Sequence, residues 1–139
     1  MVNKIHGIFI FMAILLSMSI SISALEIKYY GSMNQTACKA AIDFFPKKTF
    51  DGLRIIKFYE RLPTYQVSTD KGTDIKYIYG WYLPNSIIIY GKCNRENTIE
   101  WLWHELAHHC QYTKGDKMFY IVNHIGQFEK CLNEIQNET

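Results

Sequence analysis

Apolar and polar positions between Leu25 and Thr139 fall into two periods. Leu25-Glu26-Ile27-Lys28-Tyr29-Tyr30 alternates with period two, which predicts a first strand closed by Gly31-Ser32. From about Asn34 to Phe45, Ala37, Ala41, Phe44 and Phe45 recur at helical spacing until Pro46 stops the run. Leu53 to Tyr59 predicts a second strand, ended by Leu62-Pro63, and Asp70-Lys71-Gly72-Thr73 predicts a turn. Ile75 to Tyr82 and Ser86 to Tyr90 are β-branched and aromatic runs broken by Pro84-Asn85, the pattern of a hairpin. Asn94 to Tyr112 contains neither Gly nor Pro, offers Asn94 or Asn97 as a cap and ends at Lys114-Gly115, which predicts a long helix. A last helix is expected over about Asn123 to Gln136. Together these elements predict one α+β domain over residues 25–139. Its sheet is expected to be mostly antiparallel and packed on the 94–112 helix and the C-terminal helix.

The segment Met1 to Ala24 has a different grammar. Lys4 and His6 precede the apolar run Ile8 to Leu16, and small residues at Ser21, Ser23 and Ala24 offer a cleavage site, which predicts a secretory signal peptide. The competing reading is an uncut membrane anchor, because Gly7 to Leu25 carries no charge. Cleavage places the mature domain outside the cytoplasm, secreted or periplasmic, with no membrane contact of its own. Lys and Arg number 15 against 13 acids, and losing Lys4 leaves 14, a mature charge of about +1. Lys47, Lys48 and Lys71 are scattered rather than gathered into a stripe, so nucleic acid is not an expected partner. All four cysteines, Cys38, Cys93, Cys110 and Cys131, follow the signal segment. In an oxidising compartment they predict two disulfides, with three pairings open.

One pentapeptide carries chemistry. His104-Glu105-Leu106-Ala107-His108 puts two imidazoles four residues apart, on one face of the predicted helix and able to close on one ion. Glu105 sits beside them as a non-ligating carboxylate within reach of a water at the metal. The surrounding helix is apolar nearly all round, through Ile99, Trp101, Leu102, Trp103, Leu106 and Ala107. Burying two imidazoles and a carboxylate in it calls for a compensating cation, expected to be Zn²⁺. Trp101 and Trp103 are read as packing. His109 points about 100° away from His108 and is read as a partly exposed polar residue outside the site.

Zinc needs a third protein ligand and an open fourth position. His124 is the candidate, on the inward stripe of the last helix with Phe128, Cys131 and Ile135, and Glu129 is its rival. Tyr112 or Tyr120 would supply a hydroxyl to a developing oxyanion, although packing or surface roles suit both tyrosines as well. Of the three cysteine pairings, Cys110–Cys131 with Cys38–Cys93 would tie the active helix to the last one.

His-Glu-Leu-Ala-His, followed with fifteen residues between by His124-Ile125-Gly126-Gln127-Phe128, resembles the zincin metallopeptidases of the SprT-like and WLM kind. The hairpin containing Ser86 to Tyr90 resembles the zincin edge strand, which pairs with extended peptide substrates. The resemblance covers roughly residues 75–135 and implies three His ligands, His104, His108 and His124, with Glu105 as general base. The expected function is an exported zinc metallopeptidase acting on a peptide or protein substrate. Two alternatives use the same residues: a disulfide-stabilised exported binding protein with a structural or inactive zinc site, and a zinc hydrolase of non-peptide amides.

Overall fold

Asparagine caps begin two of the helices of the computed structural model, which describes residues 24–115, 129–131, 133, 134 and 137. The Asn34 side chain accepts from the Ala37 N–H at 3.1 Å and starts α1 (Gln35–Asp43). That of Asn94 accepts from the Asn97 N–H at 2.8 Å and starts α2 (Arg95–Thr113). Each bond satisfies one amide that the helix leaves without a partner, worth about 1 kcal/mol. Around the helices the chain forms β1 (Glu26–Tyr30), β2 (Ile55–Tyr59), β3 (Thr64–Thr69), β4 (Gly72–Tyr77), β5 (Gly80–Leu83) and β6 (Ser86–Tyr90). Helical residues recur at 129–131, 133, 134 and 137, where the sequence predicts the last helix.

The α+β class expected from the sequence stands, and its strand directions are now specified. The main sheet runs β1-β2-β6-β5, and β3 with β4 forms a separate two-stranded hairpin. β1 pairs parallel to β2, and β2 parallel to β6, with Ile56 opposite Ile87 and Tyr59 opposite Tyr90. β5 alone in this sheet is antiparallel, turned back on β6 through Pro84-Asn85, where Asn85 takes φ 66°. The sheet is therefore mixed rather than mostly antiparallel. α1 supplies the crossover that lets β1 and β2 point the same way, and the β3–β4 hairpin and β5 return the chain so that β6 does too.

Period-two alternation decides which face is covered. Ile56, Phe58, Ile87 and Ile89 are fully buried and meet Cys38 and Ala41 of α1 and Leu102 and Leu106 of α2, equally buried. The opposite face carries Lys28, Lys57 and a row of Tyr30, Tyr59 and Tyr90, whose neighbouring rings lie 4.4 and 5.7 Å apart. Ser86 to Tyr90 is thus an inner strand, paired on both sides, and not the free edge the sequence offered for substrate. That edge belongs to β5.

A disulfide joins Cys110 near the end of α2 to Cys131, with Cα atoms 6.5 Å apart. Cys38 and Cys93 are also buried, and their thiols hydrogen-bond to each other. That contact, with a smaller influence of the Thr98 side chain, draws the Cys93 thiol below its usual range, while its partner's is raised. An oxidant therefore meets two thiols already in contact, one of them disposed to ionise. Bridging them closes a loop that stabilises the domain by about 4 kcal/mol on a chain-entropy basis. Protein recovered from an oxidising compartment is expected to take up no alkylating reagent after denaturation without reduction. Two alkylations per chain would show that the second bridge does not form.

Ala24 apart, the predicted signal segment lies outside the described residues. Among the described residues no helix is long and apolar enough to cross a membrane.

Candidate metal centre

Four-residue spacing on α2 sets His104 and His108 side by side, their rings 5.0 Å apart and edge to face. His104 is exposed at the cleft and His108 half-buried, rather than both being buried as the apolar helix predicts. Partial desolvation, with the neighbouring His108, lowers the His104 pKa and favours the neutral form that ligates a metal. Glu105, one position on, turns inward and is 4% exposed. Burial alone pushes its carboxyl up to about 8.

The seat of that carboxyl is Gly80, the first residue of β5. A methyl group at Gly80 would stand 2.9 Å from both Cγ and Cδ of Glu105, and nearer still to a carboxylate oxygen. Gly80 has no positive φ. Its lack of a side chain thus serves space rather than backbone freedom. The sequence carried one signal for this residue, a glycine interrupting the β-branched and aromatic run Ile75 to Tyr82.

β5 also offers an open edge beside the centre. The Tyr79 carbonyl accepts from the Tyr90 N–H at 2.8 Å, and Trp81 lies opposite Ile88. Antiparallel ladders alternate, so Gly80 and Tyr82 turn their backbone N–H and C=O away from β6. Among the described residues β5 has no ladder on that side.

His109 departs from the sequence expectation. It is 2% exposed, and its Nε2–H donates to the Asp51 carbonyl at 2.7 Å. Nδ1 is then the acceptor for the Tyr82 hydroxyl at 3.1 Å. Burial lowers the His109 pKa against the opposing pull of the Asp51 carbonyl, which keeps the ring neutral. Tyr82, its own hydroxyl pushed up to about 12 by burial, lays its ring nearly parallel to that of His108 at 6.2 Å. His109 is therefore structural, and through Tyr82 it backs one of the two candidate ligands.

Trp101 and Trp103 pack against the core as expected, Trp103 edge-on to Phe45 at 6.5 Å, but they do more than pack. With Tyr65, Tyr77, Tyr79 and Trp81 they line a cleft of about 950 Å³ that opens onto His104 and Glu105. Tyr112, one turn beyond His108 on the same stripe, is 38% exposed, with its ring 6.1 Å from that of Tyr82.

The third ligand predicted from the sequence, His124, lies outside the described residues, as does Tyr120. Its rival Glu129 is exposed, and no group of three metal-binding side chains forms among the described residues. Two imidazoles at chelating spacing, a buried carboxylate beside them and an adjoining cleft fit a divalent cation needing one further ligand. Compared with protein-family models, curated proteins and solved structures, the chain matches none, and its centre is read from its own residues.

Proposed function

We propose that this chain is an exported zinc metallopeptidase whose centre is held by His104, His108 and His124, with Glu105 as general base. The observation that carries the reading is the seat of Glu105. A carboxylate is buried on the helix face next to two clustered imidazoles, against an open strand edge, where a structural role has no use for it. Bound zinc supplies a Lewis acid that polarises the scissile carbonyl and acidifies water. Glu105 takes the proton from the attacking water and returns it to the leaving amine. A buried carboxyl with raised proton affinity suits that exchange near neutral pH.

The backbone groups of Gly80 and Tyr82 hold the substrate as an added strand, aligned with its reacting bond over Glu105. The disulfide supports a role for His124. Cys131, seven residues after it, is bonded to Cys110, two residues after His108.

The test is metal content together with hydrolysis of an unfolded protein substrate. One zinc per chain is expected, with cleavage lost in chelator and restored by added zinc. His104→Ala, His108→Ala and His124→Ala are each expected to lower zinc affinity by about 100-fold or more. Full affinity in the His124 variant would remove that residue from the centre, and zinc binding with no cleavage of any peptide would make the site structural.

A further inference from the structure

The β3–β4 hairpin and β5 leave an unusual amount of aromatic surface in water. Tyr65, Tyr77 and Trp81 are each at least 50% exposed and Tyr79 is 41% exposed, all on one cleft. Rings continue across it: Tyr77 lies 6.3 Å from Tyr79, which stacks on Trp101 of α2 at 5.0 Å and 17°. Contiguous uncovered apolar surface of this kind marks a place where something binds. All three tryptophans of the chain, Trp81, Trp101 and Trp103, line it.

The lining also limits the occupant. Among the described residues no Lys or Arg lines the cleft, so an anionic group finds no partner in that lining. Among the described lining residues Glu100 and Glu105 are the only carboxylates and there is no side-chain amide, which leaves a glycan few of the groups that fix its paired hydroxyls around an aromatic platform. The open edge of β5, at the cleft's inner end, is matched by an extended polypeptide, whose alternate side chains would project toward the rings.

The geometry points to a polypeptide carrying a large aromatic or branched aliphatic side chain, lodged between the β3–β4 hairpin and α2, as the occupant of this cleft. It rests on the peptidase reading only for the bond that is cut, and binding is measurable without catalysis. Because every tryptophan lies in the cleft, intrinsic fluorescence of the metal-free protein reports the occupant directly. Blocked hexapeptides differing at one central residue (Phe, Ala, Lys or Asp) are titrated in turn. The Phe peptide is expected to bind about tenfold tighter than the Ala peptide, with a spectral shift. Trp81→Ser and Tyr77→Ser, both at exposed positions, are each expected to remove most of that preference.

Equal binding of Phe and Ala peptides would overturn the assignment, as would preference for the Lys or Asp peptide or tighter binding of a chito-oligosaccharide. Zinc-loaded protein separates the two readings. A Phe peptide bound in the cleft but never cut supports the occupant and sinks the peptidase. Cleavage of Phe and Ala peptides with equal efficiency sinks the occupant and keeps the peptidase.

Discussion

Glu105→Gln is expected to abolish hydrolysis and, in the same molecule, to make the metal-free domain more stable at pH 8. The loss of activity, about 10³-fold, follows from removing the only proton acceptor proposed for the step, while zinc stays bound because Glu105 is not a ligand. The gain in stability follows from burial. The folded carboxyl titrates at about 8 against an ordinary 4.5. Between those values the folded chain keeps a proton that the unfolded chain has released, so stability is full below pH 4.5 and is lost as pH rises to about 8.

His104 and His109 act in the opposite sense. Their folded pKa values lie below 6.5, so each costs stability only as pH falls beneath that value. From pH 6.5 to about 8 the Glu105 contribution is therefore free of theirs, and over that interval wild type loses about 2 kcal/mol that the Gln variant keeps. Urea unfolding of both proteins in chelator at pH 6.5 and 8 reads the difference, and parallel pH slopes would show that Glu105 is not buried as described.

Gly80→Ala reaches the same carboxylate from the other side. In an extended strand alanine carries no backbone penalty and by itself favours the folded state over glycine by about 0.5 to 1 kcal/mol. The new methyl group, however, occupies the place of the Glu105 carboxyl. Either β5 moves out or Glu105 swings toward solvent, and a displacement near 1 Å at a reacting group costs about 100-fold in rate. Zinc content is expected to be unchanged, kcat to fall by that factor, and the stability slope between pH 6.5 and 8 to flatten as the carboxyl regains water. A variant with wild-type kcat would mean that base action does not depend on the seat at Gly80.

These two residues show where the sequence was informative. Helix α2 was legible because everything that defines it is local: an asparagine cap, nineteen residues free of Gly and Pro, and a glycine after it. The proposed ligand pair His104 and His108 and the proposed base Glu105 came with it. Strand neighbours were not legible, since alternation assigns faces and leaves partners open, so the parallel pairings of β2 needed the structure. β3 escaped notice because nearly all of it is exposed and no buried face marks it.

His109 was misread for a related reason, its two partners being 27 and 58 residues away in sequence. The tryptophans of α2 pack on the core as read, and their second role on the cleft wall was missed because an apolar helix flank looks the same whether it meets a core or an open cleft. Gly80 gave only the weak signal of a glycine in a strand, and its purpose appears only when Glu105 is placed against it.

The bridge from Cys110 to Cys131 has a further consequence for a chain proposed to hydrolyse peptide bonds, since such a chain meets its own kind at every collision. One autolytic nick anywhere between Gln111 and Lys130 leaves both fragments joined through sulfur. The fragment bearing His124 stays tethered to the one bearing His104 and His108 until a second cut or a reductant parts them. Loss of the centre by self-digestion is thereby converted from a single-hit event into a two-hit one.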